Sequence, residues 1–275
     1  MTGTCSRRLA WLAFFAVVSE LAALGQPPPA AEDPAKANEA SLATMKAMAG
    51  RYELTAGAKN QFKLDRTAEP VQRWTNPVRG QPDGCLYLWT LAGRPQAALT
   101  IYPRLDGTAW NHEFQSLATT PLVAKYDGEE AWTPDQPGVE LKAVPGASAP
   151  ADSAARRLVQ MRAIARGFAA TVDVRGDKSA LRLLTAPIYR YEGGSGDPLD
   201  GAVFVFAQAT DPEMLLLLET RAGGGKSQWH YALARSTLWP LSATYESQPV
   251  WSVEKWNRAT AHIKQPYLDR PRPEK

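Results

Sequence analysis

Residues 200–221, DGAVFVFAQATDPEMLLLLETR, have a gap-free counterpart in residues 83–104, DGCLYLWTLAGRPQAALTIYPR, and no other feature constrains the fold as strongly. Both segments begin Asp-Gly (Asp83, Gly84; Asp200, Gly201), carry a proline at the turn (Pro95; Pro212) and end on arginine (Arg104; Arg221). Tyr87 falls on Phe204, and Trp89 on Phe206. Each segment reads as two strands joined by a turn. In the first, alternation places Tyr87, Trp89 and Leu91 on one face and Leu86 and Leu88 on the other. Both faces are apolar, so the strand belongs in the middle of a sheet. Leu215 to Leu218 place the partner strand of the second segment there too.

The correspondence extends outward from these hairpins. MKAMAGRY (45–52) sits on MRAIARGF (161–168), pairing Met45 with Met161, Met48 with Ile164 and Tyr52 with Phe168. Helices are expected over 35–50 and 153–168, the second after an Asp152-Ser153 start signal. Trp110 to Trp132 and Trp229 to Trp251 are equally long, with Pro121 on Pro240, Leu122 on Leu241 and Tyr126 on Tyr245. Tryptophan and proline are uncommon, which makes this register a signature of internal duplication. The expected fold is α+β: a tandem duplication with repeats at 35–132 and 153–251, each made of one helix followed by about five antiparallel strands. Cystatin-like folds share that order, and two copies suggest an arrangement with pseudo-twofold symmetry. A Pro/Gly/Ala-rich linker spans 133–152, and 252–275 forms a C-terminal segment whose basic, Pro-rich tail, RPRPEK, is expected to be disordered.

Residues 1–25 have the order of a secretory signal peptide: Arg7 and Arg8, an apolar run over 9–18, then small residues ahead of Gln26. The run is too short to span a bilayer. A Pro/Ala linker follows at 26–34. A secreted or periplasmic bacterial protein is expected, with no membrane insertion after signal cleavage. The net charge of +3, from 31 basic and 28 acidic residues, comes without a basic cluster and argues against a nucleic-acid partner. Cys5 leaves with the signal peptide. Cys85 then has no internal partner, and its strand position makes it a small buried apolar side chain.

Several motifs fail against the duplication. TRAGGGKS (220–227) resembles a phosphate-binding loop but has Thr220 where a glycine is needed, and a strand follows where the loop must open a helix. It is expected to be a hairpin loop at 222–227. GGSGD (193–197) ends in Asp197 where a nucleophile elbow ends in glycine, and reads as a loop. His112 and Glu113 are strand neighbours pointing to opposite faces, so they do not form an acid/base couple. His112 aligns with Tyr231 and His230 with Asn111, as packing residues would. Three histidines and one mature thiol leave no set with metal-ligand spacing, so no metal, cofactor or catalytic residue is expected.

Six residues remain as binding candidates. Arg104 and Arg221 end matching strands, where the two copies could present them together to an anionic group. Trp74 and Trp239 lack aromatic counterparts, aligning with Leu184 and Thr120, and are candidate carbohydrate platforms. His112 and His230 are the histidines a hydrolase would draw on. HEFQSL (112–117), LRLLTAPIYRYE (181–192) and the 200–221 segment resemble blocks in an uncharacterised family of exported proteins of planctomycete-type bacteria. The resemblance covers most of the mature chain; it implies an envelope or extracellular setting and carries no known activity. The expected function is that of a non-enzymatic exported binding or scaffolding protein of the cell envelope, its partner a protein or an extracellular polymer. The alternatives are a secreted hydrolase with its site at the junction of the repeats and a carbohydrate-binding protein.

Overall fold

Apolar residues at helical spacing produce α1 (Pro34–Gly50), which buries Met45, Met48 and Ala49. The computed structural model describes residues 34–192, 198, 200–223 and 226–274, so the signal-peptide segment and the GGSGD motif lie outside it. After α1 come β1 (Tyr52–Ala56), β2 (Phe62–Lys63), β3 (Asp65–Arg66), β4 (Gln72–Asn76), β5 (Gln81–Leu91), β6 (Arg94–Pro103), β7 (Trp110–Ser116), β8 (Leu122–Tyr126) and β9 (Glu129–Trp132). The short β10 (Lys142–Ala143) precedes α2 (Ala154–Arg166), where the Ser153 hydroxyl accepts a hydrogen bond from the Arg156 amide at 3.4 Å. The second half continues with β11 (Phe168–Val174), β12 (Asp177–Ala180), β13 (Arg182–Leu183), β14 (Tyr189–Glu192), β15 (Asp200–Gln208) and β16 (Asp211–Gly223). It ends with β17 (Lys226–Arg235), β18 (Leu241–Tyr245), β19 (Gln248–Val253) and β20 (Tyr267–Arg272).

Among the described residues these strands form four antiparallel sheets. Two are four-stranded, in the orders β2-β1-β8-β9 and β12-β11-β18-β19. Two are six-stranded: β20-β7-β6-β5-β3 with β4 also on β5, and β10-β17-β16-β15-β13 with β14 also on β15. The expected α+β unit is therefore overturned. Among the described residues the protein is mostly β with two α-helices, and each helix is followed by ten strands, nine divided between two sheets and the tenth added to a sheet of the other half. Nor does a single sheet curl over a lone helix in the cystatin-like manner. The cause lies in the turn after the long hairpins. β8 leaves the β5-β6-β7 sheet and pairs with β1, setting Tyr52 opposite Tyr126, and β18 leaves likewise, setting Phe168 opposite Tyr245.

The alternation in the long strands explains the layering. Cys85, Tyr87 and Trp89 point outward to a core closed by Met45 and Met48 of α1 and by Leu54, Leu122 and Ala124. Phe204 and Phe206 do the same against Met161, Ile164, Val172 and Ala243. The opposite faces meet each other: Leu86, Leu88 and Ala98 pack with Val203, Val205, Leu215 and Leu217 in a central core shared by both halves. Cys85 is fully buried, and burial pushes its thiol up to about 12.

Two trailing strands also cross between the halves. β10 pairs with β17, with Lys142 opposite Tyr231. β20 pairs with β7 through six positions, from Tyr267 opposite Gln115 to Arg272 opposite Trp110. The tail expected to be disordered thus supplies an ordered edge strand as far as Arg272, and Pro271 is tolerated there because an edge strand has one side free of partners. The 133–152 linker is tied down as well: Gly138 passes so close to Ser116 that a Cβ would lie 2.1 Å from its carbonyl oxygen. At the glycine-rich motif, β16 and β17 stay paired to Gly223 opposite Lys226, so the hairpin runs further than the expected 222–227 loop.

Candidate functional site

β17 ends at Arg235, and the turn that follows, Ser236 to Pro240, faces the C-terminal segment across the junction of the halves. Three hollows open around this turn. The outer one, about 610 Å³, is walled by Trp239, Leu238 and Trp256 together with Arg175, Lys255 and Arg258. The Lys255 ammonium sits 4.8 Å from the centre of the Trp239 ring. An inner hollow of about 140 Å³ shares Leu238 and Trp239 and reaches Trp74, Tyr102, Glu113 and Asp211. A third, about 260 Å³, shares Trp256 and lies against Arg235 and Tyr267.

The floor of the inner hollow is acidic. Glu213 and Asp269 are fully or almost fully buried, as is Glu113, and these three approach from different strands together with Asp211. Burial is the main reason all four carboxyls titrate above their usual range, and for Glu113 the nearby Asp269, Asp211 and Glu213 add to it. Partial compensation comes from several neighbours. Asn76 donates to Asp211 at 2.9 Å, Tyr267 donates to Glu113, and Arg258 holds Asp269. Arg79 Nη1 lies 2.8 Å from Glu213, and Arg79 and Thr237 draw that carboxyl's pKa part of the way back down. No group of three or more His, Cys, Asp or Glu residues suited to a metal ion occurs among the described residues.

The six sequence candidates scatter. Trp74 and Trp239 do come together, lining the inner hollow, but Trp74 is 2% exposed and lies tilted against Tyr102, with ring centres 5.5 Å apart. It is therefore no surface platform. Its true counterpart is Tyr191, since each ring lies over the glycine that starts the long hairpin, Gly84 or Gly201. The sequence alignment with Leu184 missed this by leaving the hairpin register, which carried upstream without a gap places Trp74 on Tyr191, each ten residues before its glycine. Trp239 is half-buried and remains available. Arg104 pairs with Asp106 in its own turn at 2.8 Å, and Arg221 pairs with Glu219 at 2.6 Å.

His112 has no exposed surface; the Tyr52 hydroxyl meets its Nδ1 at 2.8 Å, its Nε2 is without a partner, and burial lowers its pKa to about 3. His230 is half-buried, and its Nδ1 lies 3.4 Å from the Gln228 carbonyl. Among the described residues neither histidine is within salt-bridge distance of a carboxylate. Of the residues that do converge, Glu113 stands out in the sequence only as a partner of His112, and Asp211, Glu213, Asp269 and Arg235 carry no motif that singles them out. The available signal was a charge at an inward position of an apolar strand, as in DPEMLLLL and PYLDR.

A second buried charge group seals the opposite part of the junction. Arg94 reaches across to Glu219 with Nε at 3.0 Å and Nη2 at 3.3 Å, and the Tyr191 hydroxyl donates to the same carboxylate at 2.6 Å. Burial alone would raise the Glu219 pKa, but Arg94, Tyr191 and Arg221 outweigh it and hold the group below its usual value.

No protein-family model, curated protein or solved structure matches this chain.

Proposed function

We propose that the protein is an exported, non-enzymatic binding protein of the cell envelope, and that its ligand is a saccharide held at the junction of the halves. The outer hollow carries this reading: Trp239 offers a half-buried ring inside a 610 Å³ recess, flanked by Arg175, Lys255 and Arg258. Saccharide rings stack their C–H faces on indole, and the cations select for ligands bearing negative charge. The envelope setting rests on the sequence of residues 1–25 and on the family resemblance. The histidine-based hydrolase loses support, since His112 bonds to Tyr52 and lies away from solvent.

The test is retention on insoluble acidic and neutral polysaccharides. Wild type is expected to be retained, and Trp239→Ala to lose retention about tenfold while unfolding at the same temperature, in line with a stacking contribution of about 1 kcal/mol or more. Equal retention of the two proteins, or none by wild type, removes the saccharide reading.

A secreted hydrolase at the same junction is the second reading, favoured by one observation: Glu113 and Asp211 both line the inner hollow. It requires release of new reducing ends from a polysaccharide and loss of that release in Glu113→Gln.

A further inference from the structure

Arg235 stands apart from the other buried charges of the junction. Its Nε donates to the Thr237 carbonyl at 2.8 Å and its Nη2 to the Trp239 carbonyl at 2.9 Å, and its guanidinium lies 4.9 Å from the centre of the Tyr267 ring. Among the described residues it has no carboxylate within salt-bridge distance. Arg73, Arg94, Arg157, Arg190 and Arg258 each have one. Desolvation lowers the Arg235 pKa, which for a guanidinium records how little in the fold offsets its burial. Glu113, held by the Tyr267 hydroxyl, offsets part of that burial through its charge but is not within salt-bridge distance of Arg235.

This unmatched cation lines the 260 Å³ hollow with Trp251, Trp256 and Tyr267. Two amides on the wall are fixed by the protein. Gln115 spends its NH₂ on the carbonyls of Ser116 (2.7 Å) and Gly138 (3.3 Å), which leaves its side-chain oxygen as an acceptor. Gln265 spends its oxygen on the Trp256 indole N–H (3.2 Å) and the His262 amide (3.3 Å), which leaves its NH₂ as a donor. The hollow therefore offers a cation without a partner, aromatic walls, one oriented acceptor and one oriented donor. Its volume suits a single six-membered sugar ring and falls short of a drug-sized ligand.

We infer that this hollow is the subsite for a hexuronic acid residue, its carboxylate on Arg235, its ring against the indoles and its hydroxyls on Gln115 and Gln265. The binding surplus comes from completing a charge pair whose cation is already desolvated and held in place, so little ordering is left for the ligand to impose. The inference rests on the saccharide reading and narrows it to acidic sugars, with Arg235 as the residue that reads the acid.

Calorimetric titration of the full mature chain with glucuronate, methyl glucoside and acetate tests it. Glucuronate is expected to bind, with methyl glucoside and acetate each weaker by about tenfold or more; Arg235→Met is expected to lose about ten- to a hundredfold for glucuronate and none for methyl glucoside. Arg235→Lys keeps the charge without the fork and is expected to fall between the two. Arg235→Met leaves the Thr237 and Trp239 carbonyls without their donor and is expected to melt somewhat lower than wild type, so Gln265→Ala, which must also weaken glucuronate, separates the subsite from that loss of stability. Equal binding of glucuronate and methyl glucoside overturns the role of Arg235 while leaving a saccharide protein. Acetate as tight as glucuronate overturns the sugar assignment. No binding of glucuronate overturns the subsite, whereas the broader saccharide reading is decided separately by polysaccharide retention and Trp239→Ala.

Discussion

At Gly84 and Gly201, as at Gly138, a single methyl group would have nowhere to go. A Cβ would sit 2.3 Å from the Trp74 indole at Gly84 and 2.3 Å from the Tyr191 ring at Gly201. Neither glycine has positive φ, so the requirement is close approach and not backbone freedom. Gly84→Ala and Gly201→Ala are each expected to cost about 1–3 kcal/mol in urea unfolding, because the ring must leave its rotamer; an unchanged midpoint in either variant would contradict the packing. Glu219 supplies a second residue-scale prediction. Glu219→Gln leaves Arg94 and Arg221 without their carboxylate and is expected to destabilise by about 3 kcal/mol at neutral pH. The sign follows from a pKa held below the ordinary 4.5: wild type keeps its full advantage above that value and loses it as the pH falls through the lower folded-state pKa. Stability measured from pH 7 downward should show the two proteins converging in acid, and a constant gap would rule out the ionic account. The Asp-Gly turn signals were visible in the sequence, but the aromatic ring above each glycine was not, because Trp74 and Tyr191 arrive on neighbouring strands.

β20 shows the same limit for an element. A basic, proline-containing run has the composition of a disordered tail, and composition cannot register that β7 presents a free edge on which Tyr267 and Leu268 become 4% exposed. Deleting residues 267–275 uncovers both side chains and the β7 edge. A loss of about 3–6 kcal/mol and concentration-dependent aggregation are expected, read by denaturant unfolding and light scattering. A truncated protein that melts like wild type and stays monomeric would show that β20 is an accessory. The helices and the long hairpins were legible, since periods of 3.6 and two are local properties of the chain. The sheet to which β8 and β18 belong was not, because a strand's own pattern says that one face is buried and leaves open what buries it.

For the molecule as a whole, the central core decides whether the halves are separable. Leu86, Leu88, Val203, Val205, Leu215 and Leu217 are buried only because the two six-stranded sheets face each other, and β20 and β10 each complete a sheet in the opposite half. Residues 35–132 and 153–251 expressed alone are therefore expected to show no cooperative unfolding transition by circular dichroism. Either one melting cooperatively as a monomer would mean that the shared core is dispensable. The candidate site belongs to this scale as well: Glu113, Asp211, Asp269 and Arg235 are spread over more than a hundred positions of sequence and meet only at the junction. The sequence alone determined which faces of the long strands are apolar, where the helices begin, and that Cys85 is a packing residue, because each follows from side chains within a few positions of one another. Tertiary structure alone decided which apolar face meets which, which tail completes which sheet, and which buried cation lacks a partner, because burial and charge balance depend on neighbours that the chain brings together only when it folds.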